Sequence, residues 1–300
     1  VKPLVLAVLL AVSLSPALDT RLIQEVDRLD SALHSVKAEQ LPQGLRESYQ
    51  GPVGMIASAR DAKSPFVRLA RLRYAIPMTE QTLFTVANAD SGTDLAKLRL
   101  LWTRSRGDFS QPYKPVGGAL IRQAFAEAAY NKGQKLYRAS LPYGKVSGTA
   151  SGLFYLGEAE GNIRLRKFVE SLDLGDNEQP PSAAALRAAL ESLRAESLKL
   201  AGEDPVSRAT IAASSAMKEA EEQLDENLLA GATMSLLEAR LFLSRRGGKP
   251  VAVTPAADAP PGDSMLELWR ASMLQPTVPE NTPIIHDDVI PLYLSLRRSS

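Results

Sequence analysis

Two histidines, His34 and His286, lie nearly a whole chain apart, whereas zinc catalysis draws on two or three clustered nitrogen or sulfur ligands. His286-Asp287-Asp288 sets one imidazole beside two carboxylates, a group able to hold a cation. Asp287 also stands where a helix N-cap belongs, and acids are favoured in a first helical turn, so capping is the reading adopted. His34 reads as a flank residue of the first helix. Ser215-Ala216-Met217-Lys218 matches the Ser-x-x-Lys pattern in which a lysine one turn away activates a serine. The accompanying Lys-Thr-Gly and Ser-Asp-Asn triads are missing, and Met217 reads as a core position. Gly148-Thr149-Ala150-Ser151-Gly152 has the wrong spacing for a nucleophile elbow, and no glycine-rich phosphate loop occurs. Cysteine is absent, so thiolate chemistry and disulfides are excluded. Glycoside cleavage would need paired carboxylates converging from separate elements. Glu158, Glu160 and Glu170, and the run Glu219, Glu221, Glu222, Asp225 and Glu226, read instead as solvated helix flanks. No catalytic residue, metal ligand or cofactor is expected.

Two distributions carry more information. Trp102, Phe109, Tyr113, Phe125, Tyr130, Tyr137, Tyr143, Phe154, Tyr155 and Phe168 are ten of the seventeen aromatics, all within less than a quarter of the chain. Tyrosine joins a large apolar ring to a polar tip. The segment is therefore either the main core or the wall of a cleft; if a cleft, Trp102, Tyr113, Tyr130, Tyr137, Tyr143 and Tyr155 are its candidate ligand-binding residues. Basic residues cluster at Arg68, Arg71 and Arg73, at Arg104 and Arg106, and at Arg164, Arg166 and Lys167. They would hold an anion if they converged, and otherwise form a solvated face.

These groups must be placed by helices. Leu22, Val26, Leu29, Leu33 and Val36 recur at steps of four and three, predicting a helix over Leu18–Gln40 capped by Asp19. Gly51, Pro52 and Gly54 predict a loop. A helix from Ser64-Pro65 is expected to stop at Pro77, with helices following over Thr79–Ala89, Gly92–Arg106 and Ala119–Lys132. Gly133, Pro142 and Gly144 suggest a less regular stretch. Val146–Leu172 reads as a helix with potential breaks at Gly157 or Gly161, whose usual cause is close helix approach. Leu186, Leu190, Leu193, Ser197 and Leu200 make a heptad-like seam; a second helix shows Ala213, Met217, Ala220, Leu224 and Leu228; and after a turn at Gly231, Met234, Leu237 and Leu241 form a third. Each seam is too short to stand alone, so helix must lie on helix. A Pro/Ala-rich linker, a short helix with Trp269, an extended crossing through Pro276, Pro279 and Pro283, and a last helix over Val289–Arg298 capped by Asp287 complete the reading. The tail needs Trp269 and Tyr293 to dock.

Leu156-Gly157 and Phe168 echo the tetratricopeptide signature. Leu153, Glu160 and Arg164 stand where its Trp, Tyr and Ala belong, and no equivalent set recurs one repeat later. Hairpin packing is read here, not membership of that family.

The predicted fold is all-α: antiparallel helical hairpins packed as an irregular bundle or short array. Its blocks are 18–174, 182–247 and a linker plus docking tail over 248–300. Lys2, the apolar run Leu4–Val12 and the small residues Ser15 and Ala17 have the order of a secretory signal peptide over residues 1–17. The apolar stretch is too short to span a bilayer, so no membrane anchor is expected after cleavage. With 300 residues, 35 basic against 34 acidic side chains, 45% hydrophobic and 23% charged, wholesale disorder, a polytopic membrane protein and a dedicated nucleic-acid binder are excluded. The expected role is non-catalytic: an extracytoplasmic interaction or scaffolding module with a protein partner in the cell envelope. The alternatives are a ligand-binding protein using residues 102–168, or an enzyme directed at cell-wall material.

Overall fold

The computed structural model describes residues 16–37, 43–141, 146–201, 207–245, 263–274 and 281–298. They form helices, with no strand among them. The signal segment through Ser15, the Pro/Ala-rich linker, Pro276, Pro279 and Tyr143 lie outside the described residues.

Helix α1 (Pro16–His34) buries Leu22, Val26, Leu29 and Leu33 of the predicted stripe, with Leu18 before them; it ends at His34, so Val36 lies past the helix and is only half-buried. Asp19 does not cap it. The helix starts three residues earlier, and the Asp19 carboxylate pairs with Arg68. Helix α2 (Gln43–Arg60) runs through Gly51, Pro52 and Gly54, where a loop was expected. Tyr49, Ile56 and Ala59 are buried on one face, and the Tyr49 hydroxyl donates to the Leu33 carbonyl at the end of α1 (2.9 Å). Burial of that face outweighs the roughly 3 kcal/mol that an internal proline costs a helix.

Helix α3 (Pro65–Ala87) likewise continues past Pro77 and merges two predicted helices. Pro77 cannot donate to the carbonyl of Arg73, but it is buried against α6 (Val146–Glu170). A Cβ on Gly161 of α6 would lie 2.5 Å from the Pro77 carbonyl oxygen, and one on Gly157 would lie 3.2 Å from that of Gln81. These glycines do not break α6; they let two backbones meet. The 3-10 turn Ala89–Gly92 leads into α4 (Leu95–Phe109), capped by Asp94, which accepts from Ala96 N at 2.9 Å and Lys97 N at 3.2 Å.

Helix α5 (Leu120–Ser140) is central and buried on nearly every side. Gly133 is part of it rather than of an irregular stretch, because Asn162 and Phe109 press to within 3.5 Å of where its Cβ would be. Contacts of Ser140 with Gly152 and of Gly133 with Ala159 make α5 and α6 an antiparallel hairpin. Two further hairpins follow from α7 (Ala183–Ala201), α8 (Arg208–Asp225) and α9 (Leu229–Arg245). The seam residues Leu186, Leu190 and Leu193 of α7, Met217 and Leu224 of α8, and Met234, Leu237 and Leu241 of α9 are all buried. The turn into α9 falls at Glu226–Leu228, with Asn227 at φ 58°, and not at Gly231. Asparagine tolerates that left-handed conformation at a helix end. Gly231 belongs to α9 because a Cβ there would crowd Gln223 and Glu127 (3.1 and 3.2 Å).

The tail comprises α10 (Ser264–Leu274), α11 (Asn281–Ile284), a wide π turn over Ile285–Val289, and α12 (Ile290–Arg298). Pro283 sits within α11 instead of an extended crossing. Asp287 is mid-helical rather than a cap. Pro291 has no N–H for the carbonyl four residues back, and Ile290 N reaches Ile285 O to form the wide turn. Trp269 and Tyr293 are buried. One apolar core runs from Leu18 to Leu296; a smaller one joins Leu98, Phe109, Tyr137, Leu153, Leu156, Ala159 and Ile163.

Candidate functional site

The five aromatic candidates among the described residues fall into separate contacts; Tyr143 lies outside the described residues. The Tyr137 ring is stacked between Trp102 (4.7 Å) and Phe109 (4.3 Å), inside the smaller core. Its hydroxyl donates to the Trp102 carbonyl (3.2 Å), and Trp102 Nε1 donates to the Tyr137 carbonyl (3.4 Å). Burial pushes the Tyr137 phenol up to about 12. These two tie α4 to α5. Tyr155, half-buried on α6, meets the edge of Phe154 at 6.4 Å. Tyr113 and Tyr130 form a third group, ring centroids 5.1 Å apart, where the α4–α5 loop crosses α5. That loop is fixed from the 173–181 segment: Asn177 Oδ1 accepts from Gly118 N (2.9 Å), and Glu178 N donates to Gly118 O (3.0 Å). Gly117 and Gly118 both take positive φ there, which only glycine adopts at no steric cost.

The basic clusters do not converge; most of their members take partners of their own. Arg68 pairs with Asp19, Arg73 with Glu238 (2.5 Å), Arg166 with Glu170 (3.6 Å) and Lys167 with Asp108 (3.1 Å), while Arg71 donates to the Ser58 carbonyl (2.5 Å). The acidic flank of α8 is used in the same way and is not simply solvated. Glu221 pairs with Arg194 (2.6 Å), Glu222 with Lys135 (2.9 Å) and Asp225 with Arg187 (3.2 Å). Ser215 and Lys218 are exposed on α8 beside buried Met217. The histidine cluster is split: His286 and Asp287 face solvent together (2.6 Å), whereas Asp288 turns inward to 3.7 Å from Arg240. Among the described residues, no group of three His, Cys, Asp or Glu is placed to hold a metal ion.

A cavity with a marked chemical character lies elsewhere. A cleft of about 810 Å³ opens between the start of α1 and the last turns of α6, continuing to Asp173. Ala17, Leu18 and Phe168 supply its apolar lining, and Arg21, Arg28, Arg164 and Lys167 its cations, against Glu25 and Asp173. Arg28 and Arg164 are not free charges. Arg28 bonds Glu25 (2.8 Å) and Glu80 (2.6 Å), and Arg164 stands 3.8 and 4.0 Å from the same two acids. The bond to Glu25, above all, raises the Arg28 pKa. Two cations and two carboxylates cancel there and lock α1, α3 and α6 together. Lys167 pairs with Asp108 across a half-exposed gap, a contact worth little in water. Arg21 donates to the Ser171 hydroxyl (2.9 Å), and among the described residues no carboxylate lies within ion-pair distance of it. Among the described residues, the cleft thus has an apolar lining, a guanidinium with no carboxylate partner and a weakly held ammonium.

Sequence reasoning passed over Glu25 and Glu80. The signal was there for Glu25. It sits three residues after Leu22 and four before Leu29, so a carboxylate occupies the apolar stripe of α1, and a buried charge requires a partner. Nothing local identifies Glu80, 52 residues from Arg28.

Comparison with protein-family models, characterised proteins and solved structures found no match.

Proposed function

We propose that this chain is a non-catalytic interaction module, exported from the cytoplasm, that takes a segment of an envelope protein into the cleft between α1 and α6. The observation that carries the reading is the pairing of an apolar floor at Leu18 and Phe168 with the unmatched Arg21 in an open cleft of about 810 Å³. That volume suits a few residues of an entering chain. The charge favours one bearing Asp or Glu beside an apolar side chain. Ion pairs on three helices hold the walls in place, so little ordering is needed on binding. The order Lys2, apolar run, Ser15, Ala17 supports export.

A photo-crosslinking side chain at Gln24, which lines the cleft, tests the first part. A discrete product is expected with an envelope protein, lost on adding Arg21→Glu and Lys167→Glu and absent when the probe replaces exposed Arg99 on α4. Identical products from both probe positions would overturn it. Mass spectrometry of the expressed protein tests export: a mature chain beginning at Leu18 is expected, and one retaining residues 1–17 would exclude cleavage there.

A further inference from the structure

On the other side of α6 from the cleft, five side chains form a continuous cluster. The Tyr113 and Tyr130 rings lie 5.1 Å apart, and the Arg166 guanidinium stands over Tyr130 at 5.9 Å. Arg166 Nε is 3.6 Å from Glu170, and Arg122 Nη2 donates to the Glu170 carbonyl (2.5 Å). Both guanidinia act on the Tyr113 phenol electrostatically, as do Glu127 and Glu170.

Among the described residues, three buried hydrogen-bonding groups in this cluster have no partner: Tyr113 Oη, Arg122 Nε and Arg166 Nε. Buried donors are nearly always satisfied, and an orphan costs about 1–3 kcal/mol, more beside a charge. Two are donors alone and the phenol can donate as well, so one kind of group would meet all three: an acceptor with several oxygens. The charges agree. Arg122 and Arg166 carry two positive charges; Glu170 lies beside them, while Glu127, which also acts on Tyr113, is committed to Gly231 N and pushed toward its neutral form by burial. Guanidinium forks match planar or tetrahedral oxyanions, and a phenol adds a third donor.

We propose that Tyr113, Arg122 and Arg166 form a binding site for a small oxyanion, a carboxylate or a phosphate group, bound between the α4–α5 loop and α6. The two guanidinia supply charge and the Tyr113 hydroxyl direction, with Tyr130 as the apolar wall under Arg166. The site is separate from the α1–α6 cleft and stands whether or not a protein segment binds there.

The experiment is thermal unfolding of the whole protein at fixed ionic strength, titrated with inorganic phosphate or with acetate in place of chloride. A midpoint that rises and saturates with one anion and not with chloride is expected, and the anion that acts tells phosphate from carboxylate. Arg166→Gln is expected to raise the half-saturating concentration roughly tenfold or more, the weight of a charged hydrogen bond. Tyr113→Phe should weaken binding while leaving the anion-free midpoint unchanged or higher, since it removes a buried hydroxyl that lacks a partner. No saturating rise, the result expected if only water bridges the donors, would overturn the proposal. So would a rise of equal size and midpoint in both variants.

Discussion

Glu127 is held between opposing influences. It is buried on α5, and its Oε2 accepts from Gly231 N in the first turn of α9 (2.7 Å). Burial pushes its carboxyl up to about 7, against the N–H groups of Gly231 and Ala230 that draw it down. In the unfolded chain it titrates near the ordinary 4.5. Between those values the folded protein holds a proton that the unfolded chain has released, so stability is fully present below about 4.5 and declines as pH rises through 7. The displacement is worth roughly 3 kcal/mol. Glu127→Gln keeps an acceptor for Gly231 and removes the titration. Its thermal midpoint should fall less than that of the parent protein between pH 5 and pH 8; parallel profiles would contradict the assignment. Glu160 and Glu219, raised by burial in the same direction, leave a residual slope. Little of this was legible in the sequence. The Ala-rich run around Glu127 predicts a buried helix, but the residue that meets the carboxylate lies 104 positions away. The five described aromatic candidates show the same limit: composition marked a segment rich in rings without showing that separate contacts divide Trp102 and Tyr137, Tyr113 and Tyr130, and Tyr155.

Hydrophobic spacing marks α1, α7 and α8 as helices, because each has one dry face whose period survives in the sequence, whereas α9, buried on nearly every side, shows its seam only as part of a wider burial. Punctuation by proline and glycine misled at Pro52, Pro77, Gly133 and Gly231, where tertiary contact outweighs local preference. Gly161 and Gly54 separate the two roles of a helical glycine. Alanine gains about 1 kcal/mol of helix propensity at either position. At Gly54 nothing lies within 4 Å of the added methyl, whereas at Gly161 it meets the Pro77 backbone, and overpacking costs about 1–3 kcal/mol or more. Urea unfolding should show Gly54→Ala stabilised by about 0.5–1 kcal/mol and Gly161→Ala destabilised. A stable Gly161→Ala would mean that α3 and α6 part easily. Glu178 joins elements in another way. Its carboxylate accepts from Leu120 N at the start of α5 (2.9 Å), and from Ser264 N (2.9 Å) and Oγ (2.8 Å) at the start of α10. Glu178→Ala leaves both helix starts without that acceptor. Limited proteolysis should then cut within α10–α12 at protease levels that spare the parent protein; an unchanged pattern would show that Trp269 and Tyr293 hold the tail unaided.

At the level of the whole chain, the principal core gathers residues from every block that the sequence suggested, and the smaller core is bounded by α5 and α6, which also line the larger. The two tryptophans report on different parts: Trp102 packs on the smaller core and Trp269 is buried in the larger. Single-tryptophan variants, Trp102→Phe and Trp269→Phe, should therefore give fluorescence transitions that coincide with each other and with the loss of helical circular dichroism. Separated midpoints would show that the α4–α5–α6 layer melts by itself. The fully enclosed Arg240 belongs to the same network, joining Glu196 of α7 (2.5 Å) to Asp288 of the π turn (3.7 Å). Glu196 and Asp288 are both distant from it in sequence, and no local pattern marks it as interior. The double duty of Glu178 also has a bearing on chronology. During synthesis the first turn of α5 emerges 58 residues before its acceptor, and that acceptor's other client, Ser264, follows after a further 86. The Glu178 junction is thus completed in two stages, its α5 end first and its α10 end only once residue 264 has been made, after all the residues of α1 to α9.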